Sequence, residues 1–317
     1  MVWFRRLAGV TIFFTFVQII LGGVTRLTNS GLSCPDWPRC YGMLVPTPDG
    51  IAALGGTDYA YFQIMLEWVH RLTAGAVVGP LVLILTVLAW RLASRHRGLF
   101  GIMVTALLLV IIQAGLGGLT VLDRNSPWSV AVHLSVALLF LAVLLLAYRR
   151  AGSQARPDAV GGGIHALAGI AALIALVTVA SGAMMAKSGA SLACTTWPFC
   201  NGAVIPDMAD PYISLHYGHR LLALIASLLT LGLAASLRGM ERGPVRKSAN
   251  MAASVVVLQV ALGAGVVLMG VPVWIGALHL ALGVIVFGSL ASAFWAGSRL
   301  GFPSHGTDSQ HGAVSRA

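Results

Sequence analysis

The sequence predicts an all-α integral membrane protein, with eight transmembrane helices arranged as two tandem four-helix bundles in a parallel repeat. Its 317 residues are 57% hydrophobic and only 9% charged, which is too apolar for a soluble domain of this length. Separate apolar stretches come close to the ~20 residues that cross a bilayer core. We predict spans over 7–24, 64–90, 99–121, 129–148, 164–186, 212–237, 248–269 and 274–297.

The first apolar stretch follows Arg5 and Arg6 and therefore has some features of a signal peptide. No convincing small-residue cleavage site follows it, and Gly22, Gly23 and Arg26 continue into a segment with the composition of a structured loop. We predict that this stretch remains in the protein as the first helix.

The formal net charge of +10 is distributed by loop, as in a membrane topology signal, and does not predict nucleic-acid binding. Most basic residues fall on one side of an eight-span order, and most acidic residues fall on the other. The basic side includes Arg5, Arg6, Arg91, Arg95, Arg149, Arg150, Arg238, Arg242, Arg246 and Lys247. This pattern predicts a multi-pass protein of the cell membrane, in contact with lipid, with both termini cytoplasmic and the cysteine loops extracytoplasmic.

The chain contains an internal repeat. Both cysteines and the Trp-Pro pair of Ser30–Gly42 match those of Ser191–Gly202 at an offset of 160. His70-Arg71 matches His219-Arg220, and the pair Gln113 and His133 matches Gln259 and His279. Because each half has an even number of spans, both halves enter the membrane in the same orientation. We predict halves at 1–150 and 151–300, followed by a disordered cytoplasmic tail at 301–317.

All cysteines lie in the two longest predicted extracytoplasmic loops, where an oxidising compartment permits disulfides. We therefore expect bridges between Cys34 and Cys40 and between Cys194 and Cys200. The bridges could be structural or redox-active. A metal site is the other reading, but neither loop contains a histidine, and a pair of thiolates alone makes a poor zinc site.

Four histidines, His70, His133, His219 and His279, lie near the same end of the even-numbered predicted helices. Ionisable residues within spans are costly and usually functional. Two helices that each offer a histidine at one depth can bind a haem iron from opposite faces. We predict one such pair in each half. Packing through hydrogen bonds is the alternative for any one of them, whereas copper or zinc would need a third ligand. We interpret His165, which has no counterpart, as structural.

The residues around the predicted ligands differ between the halves. Glu67 lies one turn before His70, and the matching residue is His216. We predict that His216 contributes to the cofactor site of the second half, with a hydrogen-bonding partner as the alternative. A carboxyl beside a porphyrin could relay protons or stabilise charge, whereas the alternative is a hydrogen bond to the loop or to Arg71. We predict that Arg71 and Arg220 pair with haem propionates, with snorkelling as the alternative. Glycines after the matched glutamines could allow close helix approach or leave room for a flat ring, namely Gly115, Gly117, Gly118, Gly263 and Gly265.

The sequence resembles the haem A synthases of respiratory chains over all eight spans. The resemblance rests on G-G-V-T-R-L-T at 22–28, G-L-S-C-P-D-W-P-R-C-Y-G at 31–42, E-x-x-H-R at 67–71 and the four placed histidines. It implies oxidation of a ring methyl group of haem O to a formyl group by successive hydroxylations, which supplies the cofactor of cytochrome c oxidase. It also implies a haem O synthase as the source of the substrate.

The resemblance further implies a role for each pair. His70 and His133 would bracket the substrate haem O, with Glu67 beside the reacting site, and His219 and His279 would hold a permanent haem b that feeds electrons. The main alternative is a di-haem b electron-transfer cytochrome of the membrane, and a transporter built from parallel repeats is a second one. The sequence specifies neither the electron donor nor an oligomeric state.

Overall fold

The computed structural model describes residues 1–96, 98–152, 158 and 160–298. Within these ranges, eight helical segments are long and apolar enough to cross a membrane, and no β-strand forms. The predicted eight-span, all-α fold is confirmed. The predicted tail at 301–317 lies outside the described residues.

The described part of the chain contains ten α-helices, α1 to α10, together with a π-helical turn at Ala74–Val78 and a 3₁₀ turn at Ala190–Leu192. The α-helices are α1 (Val2–Leu27), α2 (Pro48–Ala53), α3 (Tyr61–Thr73), α4 (Gly79–Arg91), α5 (Leu99–Leu122), α6 (Pro127–Arg150), α7 (Gly162–Lys187), α8 (Pro211–Ser236), α9 (Pro244–Leu268) and α10 (Val273–Gly297). Helix α3, the π turn and α4 together form the second span, Tyr61–Arg91. The short helix α2 lies in the first cysteine loop.

The ends of several helices follow from local sequence. Prolines occupy the first turns of α6, α8 and α9, where their missing N–H leaves no hydrogen bond unmade. The Asp210 side chain caps α8 by accepting from the backbone N–H groups of Tyr212 and Ile213. These signals begin the helices close to the membrane boundary.

The second span contains a π turn that its counterpart lacks. Pro80 has no N–H for the carbonyl four residues earlier, and its ring would clash with that carbonyl. In the π turn, the N–H of Gly79 instead bonds to the carbonyl of Ala74, five residues back. The matching span, α8, is continuous, and Leu229 stands where the first half has Pro80.

The spans pack as two rings of four. In the first half, α1 contacts α3 and α4, α4 contacts α5, α5 contacts α6, and α6 returns to α1. The second half repeats this order from α7 to α10. The second and fourth spans of each half therefore stand diagonally across their bundle, and this packing is the one expected for two tandem four-helix bundles.

A shared core joins the halves. Helices α1 and α6 pack on α10, and α6 also packs on α7. Buried Leu138 and Leu141 of the first half lie in one cluster with Ala171 and Leu290 of the second. The indole N–H of Trp295 donates to the carbonyl of Ala142 at 3.0 Å. The halves are therefore in apolar contact along their length, and the division at residue 150 stays a prediction.

Candidate active site

Two similar disulfide loops lie at one end of the bundles, which we call the disulfide end. Cys34 is bonded to Cys40 and Cys194 to Cys200, each with an S–S distance of 2.01 Å. Both predicted disulfides are confirmed. All four cysteine side chains are buried, so each bridge lies beneath its own loop.

Arg71 and Arg220 hold these loops in the same way. Each guanidinium donates to loop carbonyls, including that of the first cysteine, at 3.2 Å for Arg71 to Cys34 and 3.1 Å for Arg220 to Cys194. The other carbonyl acceptors are Asp36 and Arg39 in the first loop and Thr196, Pro198 and Phe199 in the second. The predicted pairing of these arginines with propionates stays a prediction, because the structure shows their guanidinium groups occupied by the loops.

The Glu67 carboxylate is buried between α3 and the first disulfide loop. It accepts hydrogen bonds from the backbone N–H of Cys34 at 2.9 Å and from the Ser33 hydroxyl at 3.0 Å. It also forms an ion pair with Arg71 at 2.6 Å. The carboxylate therefore contacts the loop and Arg71, and its predicted role beside a reacting haem stays a prediction.

His216 takes the place of Glu67 in the second half and contacts the matching loop amide, that of Cys194. Its Nδ1 lies 3.0 Å from the carbonyl oxygen of Ala190 and 3.3 Å from the backbone nitrogen of Cys194. One ring nitrogen can donate to the carbonyl or accept from the N–H, depending on the tautomer. The second half therefore has an imidazole, which can donate or accept, where the first half has a carboxylate that accepts hydrogen bonds.

Each of the four predicted ligand histidines lies against a glycine of the preceding span. A Cβ added to Gly22 would lie 2.9 Å from a ring atom of His70, and one added to Gly182 would lie 2.9 Å from His219. The corresponding distances are 3.4 Å for Gly117 to His133 and 3.0 Å for Gly263 to His279. Gly117 and Gly263 were singled out from the sequence. Gly22 and Gly182 were not identified as a pair, although these glycines match at the repeat offset of 160.

The histidines of each half are close neighbours across the bundle. His70 and His133 lie within range of electrostatic interaction, and so do His219 and His279. Their helices are the diagonal pair of each ring, whereas the facing glycines lie on the other two helices. Each bundle therefore presents two imidazoles from its diagonal helices, and each imidazole packs against a glycine of the preceding helix.

The ring nitrogens are held differently in the two halves. His219 Nδ1 lies 2.9 Å from the hydroxyl of Ser181, which donates to the carbonyl of Thr178 at 2.8 Å. When the Ser181 hydroxyl donates to Thr178, it can accept from the Nδ1–H of His219, and this tautomer keeps Nε2 as a free lone pair. In the first half the residue that matches Ser181 is Leu21, and no such bond is possible there.

Matched glutamines contact the other two histidines. The amide nitrogens of Gln113 and Gln259 lie 3.3 Å from Nε2 of His133 and His279 respectively. Within the described residues, Nδ1 of both histidines and Oε1 of both glutamines are buried without a hydrogen-bond partner. A buried polar atom left unpaired costs about 1–3 kcal/mol, so these groups are suited to a further ligand.

The arrangement fits haem in both bundles. Bis-histidine haem needs two imidazoles on opposite faces of a flat ring, and the diagonal helices supply them. The facing glycines leave room for the imidazoles, and the unpaired polar atoms belong to one histidine of each bundle and its neighbouring glutamine. The sequence-predicted histidines are therefore brought together in the expected pairs, and their roles as iron ligands stay predictions.

The fold and the site together define a class: multi-pass membrane proteins built from two similar helical bundles, each with one pair of histidines facing across it. The particular family follows from comparison with known proteins. The family model for cytochrome oxidase assembly proteins matches residues 5–291, and the chain belongs to that family.

Curated relatives agree with this assignment over most of their length. A protein of Shewanella oneidensis named heme A synthase is 29% identical over 307 residues, which covers 87% of this chain and 90% of the relative. Proteins of the same name from Mesorhizobium japonicum and Halalkalibacterium halodurans are each 28% identical. They cover 91% and 86% of this chain and 88% and 90% of their own lengths.

Proposed function

We propose that this protein is a haem A synthase, a membrane oxidoreductase that converts the ring methyl group of haem O into the formyl group of haem A. The observation that carries the proposal is the duplicated pair of glycine-backed histidines in a member of the cytochrome oxidase assembly family. The curated relatives named heme A synthase support it across most of the chain. The di-haem cytochrome alternative draws no support from these relatives.

The first half acts on the substrate, and the second half holds a permanent haem b. His219 has its tautomer set by Ser181, which suits a ligand of a resident haem. His70 lacks that bond and is followed by the π turn at Ala74–Val78. Single π turns often occur at functional sites, and a less constrained ligand suits a haem that must arrive and leave.

The chain's own residues orient the two haems and shape the site around them. His70 and His133 bracket haem O, and His219 and His279 bind haem b, whose iron supplies one-electron transfer when bound. Glu67 and Arg71 fasten the first disulfide loop over its bundle. That loop limits the access of water to the substrate in the first bundle. The buried Glu67 carboxylate is hydrogen-bonded to the loop.

The orientation in the membrane and the partners follow from the same proposal. The distribution of basic residues supports a cell-membrane protein with cytoplasmic termini and extracytoplasmic disulfide loops. Haem O reaches the site from a haem O synthase, and the successive hydroxylations also require an external oxidant that supplies the oxygen atom, together with an electron donor. The exposed apolar side chains of the spans, such as Phe13 and Ile111, face lipid.

Chromatography of the haem extracted from the purified full chain tests the proposal directly. The chain is produced in cells with and without a haem O synthase. With the synthase, we expect haem B together with haem O, its hydroxylated form or haem A. Haem B alone, at two per chain in both preparations, would instead identify a di-haem electron-transfer cytochrome.

Gly263→Ala is expected to weaken haem b binding, because its new Cβ would lie 3.0 Å from the His279 ring and displace the imidazole. Changing a residue that orients a ligating side chain typically changes the affinity by roughly 10–100-fold. The matched control is Gly265→Ala on the same helix, where the nearest atom would be 3.9 Å away. Haem titration of both variants is the measurement, and equal affinities would contradict the packing role.

Ser181→Ala is expected to lower the affinity for haem b about 10–100-fold, because the bond that sets the His219 tautomer is lost. Ser227→Ala, on the same helix as His219, removes only a hydrogen bond to the carbonyl of Ala223 and serves as control. The visible spectrum and the haem-to-protein ratio report the change. Retention of full affinity in Ser181→Ala would show that Ser181 does not set the ligand.

A further inference from the structure

Arg26 of the first half reaches the histidine pair of the second half. It lies in the last turn of α1, and Gly23, Arg26 and Leu27 share one helix face. That face packs closely on α10, since a Cβ added to Gly23 would collide with Leu280 and one added to Gly276 would lie 3.0 Å from Leu27. The Arg26 side chain is consequently directed toward α10, within electrostatic range of His279.

The Arg26 guanidinium has no anionic partner in the part of the chain that the structure describes. Among the described residues, this guanidinium takes part in no hydrogen bond or ion pair, although the Arg26 side chain is partly buried. Its charged neighbour is Lys187, at the end of α7, which likewise has no bonded partner in the described part of the chain. Two converging cations repel each other, and withdrawing them from water without a counter-ion is costly.

The other arginines of the predicted haem sites are already occupied. The guanidinium groups of Arg71 and Arg220 donate to loop carbonyls, and Arg71 also forms an ion pair with Glu67. Among the described residues, Arg26, which is near His279, and Lys187, which is near Arg26, thus keep their donors available. His279 is the seventh residue of α10, so it lies about 9 Å from the start of that helix at 1.5 Å per residue. Arg26 and Lys187 lie nearer to the disulfide end.

We propose that Arg26 and Lys187 bind the carboxylates of the haem held between His219 and His279. This inference rests on the proposed function, because it takes a haem in the second half as its ligand. A guanidinium pairs with a carboxylate through two parallel hydrogen bonds, and an ammonium adds a point charge. The first half thereby completes the haem site of the second, and the two bundles are coupled through one bound group.

Haem titration and redox titration of the full chain test the inference. Arg26→Gln and Lys187→Gln are compared with Arg124→Gln, an exposed arginine at the same end. Loss of a charged hydrogen bond is expected to weaken haem b binding by about tenfold or more in Arg26→Gln. The midpoint potential should fall, because a nearby positive charge favours the reduced, less positive haem. Arg26→Lys should restore most of the potential and less of the affinity.

The outcomes separate this inference from the proposed function. If the unsubstituted chain binds haem b and Arg26→Gln keeps its affinity and potential, the inference is overturned and the haem site stands. A phosphate group of a lipid has similar chemistry, so bound anionic lipid is measured in parallel by native mass spectrometry. A loss of lipid with unchanged haem binding also overturns the inference. If the unsubstituted chain binds no haem b, the proposed function itself fails.

Discussion

His279→Ala is expected to abolish haem b binding and, with it, all conversion of haem O. His279 is one of the two imidazoles that face each other across the second bundle, and Gln259 and Gly263 are arranged around its ring. Alanine removes the ligand and leaves the neighbouring polar groups without a partner. We expect the contribution of haem b to the visible spectrum to disappear, while any haem O held by His70 and His133 keeps its own, and product formation to fall below detection.

The control for His279→Ala is His96→Ala, which alters a histidine in the turn between α4 and α5 at the opposite end of the bundles. That variant should keep its haem and its activity. Added imidazole should partly restore the spectrum of His279→Ala, because a free ligand can occupy the space that alanine leaves. Full haem content in His279→Ala without imidazole would show that another residue binds the iron.

Glu67→Gln is expected to retain haem b and to lose product formation by about 100-fold or more, the range of general acid–base effects. The amide keeps the size of the side chain but removes the charge that pairs with Arg71 and accepts from Cys34. The second bundle is untouched, so its haem should be unaffected. The measurement is the ratio of haem A to haem O in extracts, with haem b as internal standard.

Ser33→Ala distinguishes a chemical role of the Glu67 charge from a role of Glu67 in holding the disulfide loop. The Ser33 hydroxyl lies within hydrogen-bond distance of the same carboxylate, at 3.0 Å, and of the carbonyls of Ser30 and Gln63, so its loss loosens the loop while the carboxylate remains. A small effect in Ser33→Ala beside a large one in Glu67→Gln would support a chemical role of the charge. Equal losses would mean that Glu67 acts by holding the disulfide loop, as its contacts in the structure suggest on their own.

The second half offers a matched comparison for the same question. His216 stands at the position of Glu67 and contacts the same loop amide, that of Cys194. His216→Gln should loosen the second loop without removing a carboxylate. Retained haem A formation in this variant would agree with chemistry in the first half, whereas a loss as large as that of Glu67→Gln would contradict the division of roles between the halves.

Much of this protein was determined by its sequence alone. Hydropathy along the chain located the eight spans, because crossing a bilayer demands an apolar run of set length whatever the neighbours are. The repeat identified both disulfides and the paired histidines, since related segments fold alike. The E-x-x-H-R segment and the cysteine loops carried the family resemblance, which the family match over residues 5–291 confirmed.

Only the tertiary structure decided which groups meet. The orientation of Glu67 and Arg71 toward the loop depends on how that loop folds back on α3, and spacing along a helix does not contain this information. The glycine behind each histidine lies on a different helix, at a depth set by helix packing. Arg26 approaches His279 because α1 packs on α10 across the two halves. Each of these contacts joins distant parts of the chain, and packing selects among the partners that hydropathy leaves open.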